Sequence, residues 1–504
     1  MILAKIFVDG NIPISEIDRR IYGSFTEHMG RCIYGGIYEP GSPYSDAEGY
    51  RTDVIELIRE LGVTIVRYPG GNFLSGYDWK DGIGPKPERP QRLDLAWHSL
   101  ETNQFGLDEF IDWAEKCGVE PMLAVNVGSA GLKEALELLE YSNVDAESKW
   151  AQNRVKNGHQ EPYGVKVWCL GNEMDGPWQL GHMNAKDYAR VADDIARGMR
   201  QIDGNLELVI CGSSSRSMPT FGSWEETVLD GAYDLVDHIS LHSYYEDHGD
   251  IQSFLACSVD LDNFIMEVCA IADQVKAKHG SEKTITLSLD EWNVWRLSEY
   301  QALPRPINWE IAPKIIEDEY TVADAVVVGN LLISILRKSD RVKMACLAQL
   351  VNVIAPIRTE PDKQAWRQTT FFPFAFTAKF GKGVALSTRI ESDSLFTAKF
   401  GNVSSLDAIA TYDKKSGELA VFIVNRSLSD SQETTIHLTG FNILQVLEQV
   451  TLSDIDLKKT NSFQDSNAVT PDLKKSASFE GNVVTLTLPP ASWQVVNLRV
   501  SEIR

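Results

Sequence analysis

Between about residue 20 and residue 350, strand-like runs alternate with helical patterns. The strand-like runs are 22–27, 64–68, 121–127, 166–170, 207–212, 238–244, 284–289 and 344–350. Apolar residues recur at helical spacing in 53–61, 107–117, 132–141, 185–202, 261–279 and 322–336. Eight strand-then-helix units of this size predict an α/β fold, a (β/α)8 TIM barrel. A doubly wound open sheet is the alternative. It would need a glycine-rich phosphate loop after an early strand, and no G-x-G-x-x-G occurs.

After about residue 375 the pattern changes to short alternating segments, such as 406–412, 419–425, 433–438 and 483–488, separated by polar turns. That is the signature of an all-β sandwich. The stretch from Met1 to Gly10 reads as a strand and not as a signal peptide, because it lacks a long apolar run and a small-residue cleavage site. With no helix of its own, strand 3–8 is expected to pair into the sandwich. The expected division is therefore a barrel over 18–375 and a sandwich made of 1–17 plus 376–504, which suits a chain of 504 residues. Segment 453–478, rich in Asp, Lys, Ser and Asn, reads as a long surface loop.

Composition narrows the partners. Formal net charge is −23, from 48 basic and 71 acidic side chains. That disfavours nucleic acid and anionic membranes, which need basic patches, and favours a neutral substrate or a small one; the plain reading of an acidic surface is solubility alone. No run approaches the roughly 18 apolar residues of a membrane span. The seven cysteines, at 32, 117, 169, 211, 257, 269 and 346, are odd in number and show no C-x-x-C spacing. They read as buried free thiols in a reducing compartment, so a cytoplasmic protein is expected.

In a parallel barrel, reactive side chains sit at the C-terminal ends of the strands. Two runs end there on a glutamate: Val167-Trp168-Cys169-Leu170-Gly171-Asn172-Glu173 and Leu287-Ser288-Leu289-Asp290-Glu291. Two carboxyl groups so presented are the minimum equipment for cleaving a glycosidic bond. Other strand ends supply Glu27, Arg67, Asn126, Asn172, His242, Tyr244 and Gln349. Taken singly, each has a plain structural reading. A strand-end glutamate is commonly salt-bridged, Arg67 serves equally as an ion-pair partner, and His242 fits a satisfied core histidine. Trp97, Trp178, Trp292 and Trp295 serve equally as core aromatics or as stacking platforms for a sugar. Two glutamates, each after an apolar run and beside Asn or Trp, tip the balance toward chemistry. Neighbours on a strand face opposite ways, so Asn172 and Glu173 can share the site only if the strand bulges or has ended. Gly70-Gly71 reads as a tight turn allowing close backbone approach.

Metal chemistry has little support: His238 and His242 share a strand parity, but no H-x-H or H-E-x-x-H occurs. A serine nucleophile has little either, because no G-x-S-x-G occurs. No metal and no cofactor are expected.

Five stretches together resemble the α-L-arabinofuranosidases of glycoside hydrolase family 51. They are Gly23-Ser24-Phe25-Thr26-Glu27-His28, Arg67-Tyr68-Pro69-Gly70-Gly71-Asn72-Phe73, Gly171-Asn172-Glu173-Met174-Asp175-Gly176-Pro177-Trp178, Asp290-Glu291-Trp292-Asn293-Val294-Trp295 and Ala348-Gln349-Leu350-Val351-Asn352. Asn-Glu alone is shared by many barrel glycosidases; the ordered set is what resembles this family. The resemblance implies a barrel plus a jelly-roll sandwich, and an exo-acting, retaining hydrolase of terminal non-reducing α-L-arabinofuranosyl residues. It implies an intracellular, hexameric enzyme acting on arabinan- or arabinoxylan-derived oligosaccharides. By motif, Glu173 would be the acid/base and Glu291 the nucleophile. Glu27, Arg67, Asn72, Asn172, Tyr244 and Gln349 would hold the furanose or the catalytic pair, while Trp97 and Trp295 would line the pocket. His242, from its strand-end position, joins the substrate-binding set. The chain departs from the family at Ser243, where Gln is common, and at Arg296-Leu297, where Tyr-His is common. The second departure bears on the leaving-group preference. The readings that compete with this one are a different retaining barrel glycosidase, such as a β-xylosidase or endoglucanase, and a silent carbohydrate-binding protein.

Overall fold

A computed structural model describes residues 3–304 and 307–503. Met1 and Ile2, from the N-terminal stretch read as a strand, lie outside the described residues. The next residues form β1 (Ala4–Glu16). Eight parallel strands then close a barrel: β2 (Gly23–Phe25), β3 (Ile65–Tyr68), β4 (Glu120–Ala124), β5 (Val167–Leu170), β6 (Glu207–Ile210), β7 (His238–Tyr245), β8 (Thr286–Val294) and β9 (Val342–Ala348). Each pairs with its sequence neighbours, and β9 closes onto β2. All eight expected strands are present, with shifted ends. The largest shift is in β8, which runs on through Asp290, Glu291 and Trp292 to Val294.

The alternation is visible in the helices too. Thr52–Leu61 and Leu107–Cys117 bury one face and end on glycines in the left-handed conformation, at Gly62 (φ 81°) and Gly118 (φ 76°). Helix Val322–Arg337 differs, because residues 322–336 are all buried. A helix apolar all round must be covered all round. It is covered by the barrel on one side and by the C-terminal sheet on the other, so closely that a Cβ on Gly329 would sit 2.2 Å from the Trp493 ring. Helices Ser223–Ala232 and Phe371–Phe380 were not expected from sequence. The first buries two of its three acidic or aromatic N-terminal side chains, Trp224 and Glu225, which masks its apolar stripe.

The C-terminal strands are β10 (Val384–Glu391), β11 (Leu406–Asp413), β12 (Glu418–Asn425), β13 (Gln432–Thr439), β14 (Phe441–Leu452), β15 (Ser478–Glu480), β16 (Val483–Leu488) and β17 (Ser492–Glu502). With β1 they make a nine-stranded array in the order β14-β17-β12-β11-β10-β1-β13-β16-β15. β1 pairs antiparallel to β10 and parallel to β13, so the first strand does join the all-β domain. Alternation explains how the domain holds two cores. On β12, Val421 and Ile423 enter the sandwich interior, while Ala420, Phe422 and Val424 join the core shared with the barrel. A buried polar cluster fixes the same junction: Asp407 accepts from Arg426 (2.6 Å) and Asn330 (2.8 Å), and Arg426 also donates to Ser258 (2.8 Å). Segment 453–478 is more than a surface loop. Its carbonyls at Leu457 and Lys459 accept from Ala323 and Val322, capping the N-terminus of the buried helix.

The seven cysteines are free, six of them buried and Cys269 half-buried. No helix among the described residues is long and apolar enough to cross a membrane.

Candidate active site

Three backbone devices bring the polar side chains together at the C-terminal rim. The first resolves the parity of Asn172 and Glu173. β5 ends at Leu170, and Gly171 (φ 98°) and Glu173 (φ 45°) take left-handed conformations. The strand has ended there, so both side chains can turn inward. The second is a bulge in β8. Ser288 pairs with Ser240 but Glu291 pairs with His242, so three residues of β8 span two of β7. Asp290 and Glu291 are thereby both buried in the site, although simple alternation would separate them. The third is Gly70-Gly71. A Cβ on Gly71 would lie 2.9 Å from Glu291 Oε1, and one on Gly70 would lie 2.7 Å from Glu27 Cγ. Close approach to these two carboxyl groups is what requires glycine there.

Glu291 is clasped on both oxygens. Arg67 Nη1 donates to Oε1 (2.8 Å), and the Tyr244 hydroxyl donates to Oε2 (2.8 Å). Arg67 Nη2 donates to Asn172 Oδ1 (2.7 Å), and the guanidinium lies over the Phe25 ring at 4.8 Å. His242 links the two halves of the site. Its Nδ1 is 2.9 Å from Glu173 Oε1 and 3.5 Å from Glu291 Oε2, while its Nε2 is 3.1 Å from Asp290 Oδ1. Burial alone would lower the His242 pKa, but Glu291, Asp290 and Glu173 together raise it well above the ordinary imidazole value. These three carboxyl groups favour the charged form of the His242 ring, which bridges Glu173 and Asp290. Burial likewise disfavours the Asp290 carboxylate, but Arg67 and His242 hold its pKa below the usual range. The second oxygen of Glu173 accepts from Trp178 Nε1 (2.6 Å).

Across the site, Glu27 sits in a different setting. Oε1 accepts from Trp97 Nε1 (2.9 Å) and the Phe73 amide (2.9 Å), and Oε2 accepts from Gln349 Nε2 (3.1 Å). Burial pushes its pKa up to about 8, because the hydrogen bonds from Phe73 and Trp97 do not offset it and Glu291 adds repulsion. Trp97 is held in turn by Asp94, which accepts from the Ala96 and Trp97 amides and from Ser99. The Trp295 ring meets Tyr244 edge-on at 5.1 Å.

The structure thus gathers Arg67, Asn172, Glu173, His242, Tyr244 and Glu291 in one polar network, with Glu27 and Gln349 hydrogen-bonded to each other as a second group beside it. Trp97 and Trp295 adjoin it, and Asn72 borders a groove of about 660 Å³ beside Trp178 and Asp94. Asn126 is not part of the set. It lies past the end of β4 and donates to the Tyr77 carbonyl and Ser129. His238 is bound at the opposite end of β7, to Thr286. Two members were missed in the sequence. Asp290 was hidden by the bulge, and Trp178 was weighed only as an aromatic, although its place five residues after Glu173 was visible. Arg296 is turned away from the site into Asp318 and Asp324. Ser243 donates to the Tyr245 hydroxyl. Among the described residues, Glu173, His242 and Glu291 are the group able to converge on a cation, each offering an atom within 4.8 Å of the others. His242 Nδ1 is already a hydrogen-bond partner of Glu173, and the oxygens of Glu291 accept from Arg67 and Tyr244.

Comparison with known proteins gives one answer. The profile described as "Alpha-L-arabinofuranosidase 1 domain" matches residues 57–259, and that described as "Alpha-L-arabinofuranosidase C-terminal domain" matches 290–492. An intracellular exo-α-(1→5)-L-arabinofuranosidase of Streptomyces lividans is 51% identical over 98% of this chain and 75% of its own. An exo-α-(1→6)-L-arabinofuranosidase of Bifidobacterium longum is 49% identical over 98% of this chain and 97% of its own. The solved structure of a family 51 α-L-arabinofuranosidase from Bifidobacterium longum has a TM-score of 0.95 at 45% identity, covering 99% of this chain and 100% of its own.

Proposed function

The chain belongs to the α-L-arabinofuranosidases of glycoside hydrolase family 51, and we propose that it releases terminal non-reducing α-L-arabinofuranosyl residues by double displacement with retention. The observation that carries the mechanism is the treatment of two glutamates. One is clasped by a guanidinium and a phenol, the other is held by an imidazole ring and an indole, and an oxygen of each lies within 4.8 Å of the other. Such proximity leaves no room for a water between two carboxyl groups on opposite faces of the sugar, as inversion requires. It suits the roughly 5–5.5 Å separation of retaining pairs.

In this reading Glu291 attacks the anomeric carbon while Glu173 gives its proton to the departing glycosidic oxygen. The C–O bond breaks, and a covalent arabinosyl-enzyme forms. Glu173, now a carboxylate, takes a proton from water as that water attacks the same carbon. Glu291 leaves and sugar is released. Arg67 and Tyr244 stabilise Glu291 as the departing carboxylate. Asn172, fixed by Arg67, is placed to bind the 2-hydroxyl, a contact that strengthens in the transition state. Glu27, Asn72, Gln349, Trp97, His242 and Trp295 complete the furanose pocket or orient the pair.

We further read the all-β domain as a jelly roll and the protein as a cytoplasmic hexamer serving arabinan or arabinoxylan breakdown, in keeping with the intracellular relative and the family. The division at 18–375 and at 1–17 plus 376–504 is kept with one adjustment. Helix Phe371–Phe380 straddles it and packs on the barrel helices Thr52–Leu61 and Val322–Arg337, so the boundary is drawn after that helix.

The test is initial rates on aryl α-L-arabinofuranoside, β-D-xyloside and β-D-glucoside. Strong preference for the arabinofuranoside is expected. Turnover of a pyranoside alone would remove the furanose pocket, and binding without turnover would leave a silent sugar-binding protein.

A further inference from the structure

His28 directly follows Glu27 in the chain, and the mechanism above makes no use of it. Its side chain is fully buried, so no sugar reaches it. Its ring is nonetheless held on every side. Nδ1 is 2.8 Å from Glu101 Oε2, and Nε2 is 2.9 Å from the Tyr68 hydroxyl. The ring stacks on Phe73, with centroids 4.7 Å apart and planes inclined by 18°. The His28 amide donates to the Pro69 carbonyl (3.2 Å), in the turn that leads to Gly70-Gly71.

Glu101 is as firmly placed. Its other oxygen, Oε1, accepts from the Tyr34 hydroxyl and from the Asn103 amide (2.6 Å). Burial opposes its ionisation, but His28, Tyr34 and the Asn103 amide hold its pKa below the usual carboxylate range. A carboxylate only accepts, so Nδ1 of His28 is the donor in the bridge. Glu101 closes the short hairpin Arg92–Asp94 and Ser99–Glu101, and Trp97 lies at its tip. Asp94 fixes that tip, and Glu101 fixes the base.

The two arms of His28 lead to one atom. The Phe73 amide and Trp97 Nε1 both donate to Glu27 Oε1, each at 2.9 Å. Phe73 is seated by its stack on His28, and the hairpin of Trp97 is tied to His28 through Glu101. We propose that His28 is a positioning residue for sugar binding, which acts through Phe73 and Glu101 to fix the two N–H donors that aim Glu27 at the furanose. The proposal rests on the arabinofuranosidase reading, in which Glu27 holds the sugar.

The test is a double-mutant cycle on the full-length protein, read as kcat/KM on an aryl α-L-arabinofuranoside. An asparagine amide reaches the place of the ring's Nδ1, and a glutamine amide that of Nε2. His28→Asn therefore keeps a partner for Glu101, whereas His28→Gln keeps one for Tyr68 only; both lose the stack on Phe73. His28→Gln should lower kcat/KM about tenfold, mainly through KM, and His28→Asn about threefold. Glu101→Ala breaks the bridge from its other end and should match His28→Gln; it decides the question if melting curves show that His28→Gln does not fold. In a Glu27→Ala background each of these changes should cost less than about twofold, because the group they position is gone. Equal losses with and without Glu27, or no loss in either background, overturn the positioning role. So does His28→Asn falling as far as His28→Gln. Wild type inactive on this substrate, or Glu27→Ala as active as wild type, overturns the proposed furanose pocket and the positioning role together, which keeps that failure apart from the first.

Discussion

Glu27 and Glu291 are the same residue type at the ends of barrel strands, both buried, with Gly70-Gly71 pressed against each. Their partners differ. Glu291 faces a guanidinium and a phenol; Glu27 faces an amide N–H, an indole and a carboxamide, none of them charged. Burial acts against ionisation of Glu27, which no cation touches, whereas Glu291 has a cation in direct contact. With its pKa pushed up to about 8, Glu27 can donate a hydrogen bond to a sugar oxygen, whereas the guanidinium and phenol on Glu291 orient that carboxyl group toward an electrophilic carbon. One chemical group does two jobs because its neighbours differ.

The comparison is broken most directly at its ionised end. Glu291→Ala should lose activity on every substrate by at least about four orders of magnitude, the scale of losing a covalent nucleophile. Residual turnover of aryl arabinofuranoside within about a hundredfold of wild type would mean that another group attacks the sugar. Glu173→Ala should be smaller and substrate-dependent. We expect a fall of about 10²–10⁴ where the leaving group needs a proton, and much less for the first step with an activated aryl group. Azide should restore turnover and yield arabinosyl azide, with the stereochemistry of attack on a covalent intermediate. Absence of that product would remove Glu173 from the acid/base role.

Sequence carried the barrel because alternation of strand and helix is a long-range pattern that local irregularity does not erase. It carried the two glutamates because each closes an apolar run. What it could not carry were the departures from regularity that build the site. Period-two reasoning puts Asp290 and Glu291 on opposite faces, and the bulge between Ser288 and Glu291 overrides it. The same reasoning separates Asn172 and Glu173, and the left-handed Gly171 and Glu173 override it. Hairpin 394–404 docks on the barrel through the Lys399 amide and Ser253, a contact between domains that no local pattern records. Segment 453–478 is similar: its backbone carbonyls cap a helix, and backbone groups leave no trace in side-chain composition.

The comparison is sharpened at its neutral end, where the effect is smallest. If Glu27 carries a proton, Glu27→Gln copies its shape and its donor, so activity at about pH 6 should fall less than about tenfold, well short of the loss from Glu173→Ala. Wild type should lose activity as pH rises through about 8, because ionised Glu27 faces Glu291; the variant should lack that limb. Stability gives an independent reading. Glu27 would ionise near its ordinary value of 4.5 in the unfolded chain and near 8 in the folded one. Between those values the folded protein binds more protons than the unfolded chain. Wild-type stability therefore drops with rising pH across that window, by on the order of 1 kcal/mol per pH unit from this group, and levels off above it. The glutamine of the variant has no proton to lose, so the melting temperature of Glu27→Gln relative to wild type should climb from about pH 5 to about pH 8. Subtracting the two curves cancels the other titrating groups. A constant difference across the window would show that Glu27 is ionised in the folded protein, and the contrast with Glu291 would then have to come from geometry and not from charge.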